Sequence, residues 1–87
     1  MSLDQAFETA QQQVKTLPSR PDNNTLLELY ALYKQASAGN VKGSRPGFFD
    51  LKGQAKYDAW AKRKGQDSET CKQAYVDLVQ QLLNRAG

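Results

Sequence analysis

The sequence predicts an all-α protein: a four-helix bundle, up-down-down-up, with a long crossover loop between helices 2 and 3. Three observations predict it. Apolar residues recur at spacings of three and four in four separate segments. Each segment is bounded by capping or turn residues. One connection, residues 40–49, is far longer than the others. Short turns make consecutive helices antiparallel neighbours, whereas a long connection can cross the bundle and let two helices run parallel.

The first helix is expected over residues 3–16, where Phe7, Ala10, Val14 and Leu17 share a face. Ser2 is the candidate N-cap, Asp4 suits the positive end of the helix dipole, and Pro18 and Pro21 close the segment. The second helix spans residues 22–38, capped by Asp22 or Asn23 and stopped by Gly39. It carries two apolar rows. Leu26, Tyr30 and Tyr33 form one, continued by the stem of Lys34; Leu29, Leu32 and Ala36 form the other. A helix with two such rows either lies centrally in a bundle or offers one row to a ligand.

The long connection holds Gly43, Pro46 and Gly47, with Phe48 and Phe49 expected to pin it to the body. The third helix is expected over residues 50–64, with Asp50 as cap and Gly65 as stop. Lys52, Lys56 and Arg63 lie on one side of it, beside Leu51, Ala55 and Ala59, while Tyr57 and Trp60 occupy another face. The fourth spans residues 67–84 with a buried stripe of Cys71, Tyr75, Leu78, Val79 and Leu82. Phe7, Val14 and Trp60 are assigned to the core with Leu78 and Leu82.

A chain of 87 residues is read as one domain, residues 1–87. Such a chain buries only about 60–65% of its unfolded surface, so its function should sit on a surface or in a groove. Histidine is absent, which removes the commonest general base and zinc ligand. No Gly-rich phosphate loop, CxxC or GxSxG is present, and the single Cys71 has no histidine to activate it. The sequence therefore argues against an enzyme, and no metal site is expected. No apolar run approaches the roughly 20 residues a bilayer needs, so the chain is not expected to be membrane-embedded. The opening residues lack a basic and an apolar region, and one cysteine suits a reducing compartment, so a cytoplasmic location is expected. Asn23-Asn24-Thr25 matches a glycosylation sequon but carries no weight without a leader.

The net charge is +3, and its basic residues are uneven. Lys42, Arg45, Lys52, Lys56, Lys62, Arg63 and Lys64 fall in one stretch, opposed there only by Asp50 and Asp58. Such a field suits an anionic partner; it equally suits a solvated face.

Three segments carry a resemblance to a known family. Residues 29–36, LYALYKQA, contain the pattern YxxYKQA; residues 45–60, RPGFFDLKGQAKYDAW, match RPGxxDxKGxAKWxAW; and residues 74–77, AYVD, match an AYxxxV-type stretch. Order, spacing and total length agree over essentially the whole chain. The sequence resembles the acyl-CoA-binding protein family, with one departure: Tyr57 stands where the family usually has Trp. Both are large aromatics with a polar tip, so tuned affinity is expected.

The resemblance implies a carrier and pool former for medium- and long-chain acyl-CoA, with no cofactor and no chemistry on the ligand. It implies that Lys34 and Lys56, from different helices, meet at the 3′-phosphate, with the Tyr30 hydroxyl on the same group. Lys15 would lie near the nucleotide, Tyr33 against the adenine, and Tyr75 against the head group. The acyl chain would lie by Ala10, Leu26, Leu27 and Ala55. Acyl-CoA-using enzymes are the implied partners, and a monomer is the simplest expectation. Taken singly, each residue has a plainer reading: Tyr30, Tyr33 and Tyr75 as core aromatics, Lys34 and Lys56 as solvated surface. Two alternatives stay open on the residues alone, a helical nucleic-acid-binding module and a bundle whose groove takes a partner helix. The modest charge and the lack of helix-turn-helix spacing count against nucleic acid.

Overall fold

The computed structural model describes residues 2–86 and contains four α-helices: α1, Leu3–Gln13; α2, Asn23–Ala38; α3, Leu51–Ala61; and α4, Ser68–Ala86. A single 3₁₀ turn, Val14–Thr16, continues α1.

Helix starts follow the cap chemistry. Ser2 and Gln5 form a reciprocal capping box, each side chain meeting the other's backbone N–H. The Asp22 carboxylate accepts from the Thr25 N–H at 2.8 Å and the Asp50 carboxylate from the Gly53 N–H at 2.9 Å. A Cβ at Gly53 would collide with an Asp50 carboxylate oxygen, so glycine there leaves the cap its room. Gly39 ends α2 with φ of 81°, and Gly65, φ 90°, turns the chain toward α4. The third helix is shorter than the sequence suggests: after Ala61 it unwinds through turns to Gly65.

Side-chain contacts fix the helix directions. Asp4 pairs with Lys72 at 2.6 Å, and Gln80 donates to Gln13 at 3.4 Å, so α1 and α4 run parallel. Ser68, at the start of α4, donates to the carbonyl of Ala36, at the end of α2, so those two are antiparallel. Tyr30 meets Lys56 and Lys34 meets Trp60, so α2 and α3 run parallel. This is the expected up-down-down-up arrangement. The α2 helix is central: it packs on α4 and on α3, while α1 packs on α4.

The core lies between α1, α2 and α4. Leu29, Leu32 and Ala36 meet Phe7, Ala10, Cys71, Tyr75 and Val79 there. Each large apolar side chain fully withdrawn from water contributes about 1.5–3 kcal/mol. Val14, Leu78 and Leu82 pack on this cluster from its edge, only partly buried. One of the two predicted rows of α2 thus faces the core; of the other, Leu26 and Tyr30 are left for α3, whereas Tyr33 lies against Phe7 of α1.

The end of α2 is a polar knot. Buried Gln35 donates to the Asn40 side chain at 2.9 Å and to the Gln66 carbonyl at 3.0 Å; the Trp60 indole donates to the Gly39 carbonyl at 2.8 Å. The crossover loop is held by polar bonds from α3. Tyr57 donates to the Gly43 carbonyl, Gln54 to the Pro46 carbonyl, and Arg45 meets Asp58 through two bonds of 2.8 and 2.9 Å. The expectation that Phe48 and Phe49 pin this loop is wrong. They are 71% and 91% exposed. Polar groups on α3 already fix the loop, so no apolar anchor is required.

Candidate functional site

Between α2 and α3, on the side away from the core, lies an open groove of about 420 Å³. Leu26, Leu27 and Ala55 supply apolar wall, and Tyr30, Lys56 and Lys52 supply a polar rim. The two helices can hold a groove because the facing residues are small. Ala55 and Ala59 on α3 and Ala31 on α2 fill little of the space between them, and a second cleft continues past Leu27 and Ala55 on the far side.

Along the seam above this groove the residues form two rungs. Lys56 Nζ lies 5.4 Å from the centroid of the Tyr30 ring. One turn further along both helices, about 5.4 Å, Lys34 Nζ lies 4.8 Å from the Trp60 ring. The rungs arise from helix periodicity: Tyr30 and Lys34 are i, i+4 on α2, and Lys56 and Trp60 are i, i+4 on α3. Each ammonium is drawn to the negative face of its ring, which orders a flexible side chain before any anion arrives. None of the three ion pairs among the described residues takes Lys34 or Lys56, so neither charge is neutralised by a carboxylate.

On the other flank of α2, Tyr33 is 40% exposed and stacks on Phe7, ring centroids 6.1 Å apart. Phe7 also meets Tyr75 edge-on at 5.1 Å. Tyr75 is buried, and that burial pushes its phenol above the ordinary tyrosine range. Tyr33, Phe7 and Tyr75 thus form an aromatic bank with Tyr33 as its outward face. A flat π-system could lie on it.

The structure therefore gathers Tyr30, Lys56, Leu26, Leu27 and Ala55 at one groove, with Lys34 on the next rung and Tyr33 across the helix. It does not gather them all. Ala10 is 1% exposed within the core, so it offers no wall to the groove. Its small side chain serves close packing of α1, in keeping with its place on the apolar face of that helix. Lys15 is exposed in the 3₁₀ turn after α1 and lines none of the grooves described. Tyr75 belongs to the core and meets the site only through Phe7.

Other residues enter that sequence reasoning leaves aside. Trp60, assigned to the core, is also the platform under Lys34. Phe7 bridges Tyr33 and Tyr75. Arg20, Asn23, Leu51 and Lys52 line the groove. Lys52 has a signal, since it precedes Lys56 by four; Arg20 lies in a proline turn with no periodicity to announce it. Cys71 is fully buried, and desolvation raises its thiol, so it is held in the unreactive form. Among the described residues no cluster suits a metal ion, and no helix is long and apolar enough to cross a membrane.

Comparison with known proteins agrees with this geometry. The family model described as acyl CoA binding protein matches residues 4–79. An acyl-CoA-binding protein homolog of Manduca sexta is 49% identical over 88 residues, covering 100% of this chain and 98% of that protein. The acyl-CoA-binding protein of Saccharomyces cerevisiae is 42% identical over 81 residues, covering 93% of each. The crystal structure of Oryza sativa acyl-CoA-binding protein 2 superposes with a TM-score of 0.92 at 43% identity, covering 97% of this chain and 91% of that one. With its fold, its paired lysine–aromatic rungs and relatives matched end to end, this chain belongs to the acyl-CoA-binding protein family.

Proposed function

We propose that this chain binds long-chain acyl-CoA and carries it without altering it. The observation that carries the reading is the adjacency of two chemistries in one seam: two unneutralised ammonium groups on aromatic platforms, and beside them a groove walled by Leu26, Leu27 and Ala55. The ligand has the same two parts, a polyanionic nucleotide and an apolar tail.

Lys34 and Lys56 converge on the 3′-phosphate, joined by the Tyr30 hydroxyl. Two charged donors on one dianion make bonds shorter and stronger than neutral ones. The adenine lies against Tyr33, whose ring is backed by Phe7. Tyr75 acts from behind, by fixing Phe7, and Lys15 supplies long-range attraction from its exposed turn. The acyl chain enters the groove at Leu26, Leu27 and Ala55, where each methylene removed from water contributes about 0.8 kcal/mol. That increment sets a preference for medium and long chains. The whole chain works as one binding unit, monomeric and cytoplasmic, that holds a pool of acyl-CoA and delivers it to the enzymes that use it. In this reading the lysines and the Tyr30 hydroxyl of the seam are engaged on the phosphate, and the thioester is held unaltered.

Calorimetric titration tests the reading. Hexadecanoyl-CoA should bind one-to-one and tightly, free CoA far more weakly, and free hexadecanoate weakly or not at all. Equal binding of CoA and its ester would remove the groove from the account. Equal binding of ester and free acid would remove the seam.

A further inference from the structure

We propose that Phe48, Phe49 and Leu51 form a docking tip for an anionic lipid bilayer. Four large apolar side chains are exposed among the described residues, and three of them fall within four consecutive positions: Phe48 at 71%, Phe49 at 91% and Leu51 at 71%. The two rings rest on each other, centroids 4.1 Å apart, and turn outward as a pair. The backbone under them is held on both sides. Gln54 grips the Pro46 carbonyl just before the rings, and the Asp50 N–H closes a turn on the Gly47 carbonyl just after them. A loop that α3 fixes through polar bonds gains nothing in the folded chain from two exposed phenylalanines. Such exposure marks an interaction surface.

The surroundings favour a bilayer. Leu51 also lines the groove, where Arg20, Lys52 and Lys56 are its neighbours. No ion pair among the described residues takes Arg20, Lys42, Lys52 or Lys56, whereas the nearby Arg45 is already held by Asp58. An apolar tip continued at Leu51 by a groove edge with Arg20, Lys52 and Lys56 matches an interface with acyl chains beneath anionic head groups. A protein partner would need roughly 800 Å² on each side for a stable contact, far more than three side chains offer. A bilayer needs no matching shape. Because Leu51 belongs to both tip and groove, docking would bring the groove to the lipid surface, where an acyl tail could pass between the two. That last consequence rests on the proposed function; the docking does not.

The test uses the full chain without acyl-CoA, sedimented with vesicles of phosphatidylcholine alone or mixed with phosphatidylserine. The parent should sediment with the mixed vesicles and be released by added salt. Phe48→Ser with Phe49→Ser should lower the bound fraction by at least about tenfold, the scale expected for losing two inserted rings. Its melting temperature and its calorimetric affinity for hexadecanoyl-CoA should stay at the parent values, which separates failure of docking from failure of ligand binding. A Phe49→Trp variant supplies a second reading: its emission, taken above the constant background of buried Trp60, should shift to the blue on mixed vesicles. Equal sedimentation of parent and double variant, an unshifted emission from sedimented Phe49→Trp protein, or a parent that ignores the mixed vesicles would each overturn the proposal. So would a parent dimer, seen by equilibrium sedimentation, that the double variant abolishes, since the rings would then serve a second copy of the chain.

Discussion

Replacing Lys56 by alanine removes one rung of the seam while leaving the core untouched. The side chain rises from an exposed position on α3, and its ammonium leans over the Tyr30 ring at 5.4 Å. A hydrogen bond to a charged group contributes about 1.5–3 kcal/mol. Part of that is already spent in the free protein, because the exposed lysine's contact with the half-buried Tyr30 ring is worth about 0.5–1 kcal/mol and weakens as the phosphate draws the ammonium away. The net loss on Lys56→Ala should be about 1–2 kcal/mol, or roughly 5- to 30-fold in Kd. Lys34 is half-buried and held at 4.8 Å over the less exposed Trp60 ring. The same subtraction applies and is at least as large, so Lys34→Ala should cost no more than Lys56→Ala, about 1–2 kcal/mol.

The assay is calorimetry with hexadecanoyl-CoA and with its analogue lacking the 3′-phosphate. If both lysines meet that phosphate, each penalty should shrink sharply with the analogue. The double variant should then cost less than the sum of the singles, since one dianion is shared. Melting temperatures of the free variants separate binding from stability, because Lys34→Ala also exposes the Trp60 ring. A Lys56→Ala protein within roughly twofold of the parent, or one whose penalty is the same with the analogue, would refute the assignment of this rung.

The other predictions concern the groove, the loop and pH. Ala55→Phe should fill the space between Leu27 and the α3 backbone, weakening hexadecanoyl-CoA far more than octanoyl-CoA; equal losses in a chain-length series would place the acyl tail elsewhere. Trp60→Phe keeps a ring near Lys34 but orphans the Gly39 carbonyl, and should lower stability by about 1–3 kcal/mol in urea unfolding. Three carboxyls, Asp22, Asp58 and Asp67, lie below their ordinary value of 3.8, held there by the Thr25 N–H, the Arg45 guanidinium and Thr70 respectively. The folded chain therefore binds fewer protons than the unfolded one as pH falls past 3.8. Their stabilisation is complete above that value and lost as pH drops through the lowered folded values, and Asp58→Asn should flatten that acid limb of the melting curve. Tyr75 shifts the other way: its stabilisation is complete below pH 10.0 and lost as pH rises through its raised folded value, a limb that Tyr75→Phe should remove.

Much of the fold is legible because each helix announces itself twice, by periodicity and by a cap. Asp22 and Asp50 cap where the sequence places them, and the rows of α2 separate into core and groove except at Tyr33, which turns to Phe7 of α1. What misleads is chemistry that periodicity does not encode. Phe48 and Phe49 read as anchors because adjacent aromatics usually are buried; the anchoring bonds come from Gln54, Tyr57 and Asp58, whose loop partners are backbone or lie beyond any helical spacing. Ala10 could serve the core or a groove by its position in the sequence, and only the packing of α1 on α4 decides. The rungs are half legible. Spacing pairs Tyr30 with Lys34, and Lys56 with Trp60, but the cross-pairing of the two helices depends on their running parallel, which the long loop allows and does not dictate.

The placement of α3 explains why the site lies where it does. In a chain this short one core must serve for stability, and α1, α2 and α4 build it. Among the described residues the third helix packs on α2 alone, and the loop before it is held by bonds to α3 itself. Its attachment includes Trp60 and Ala31, both buried, the two lysine–aromatic rungs, and the Arg63–Glu28 ion pair at 3.5 Å in the turn that follows it. A helix packed outside the core can leave a groove beside it without opening that core. It follows that an anion bridging Lys34 and Lys56 would tie α3 more firmly to α2, the one helix on which it packs. Ligand binding and the docking of α3 then draw on one set of contacts, so ligand affinity and the local stability of α3 must rise and fall together.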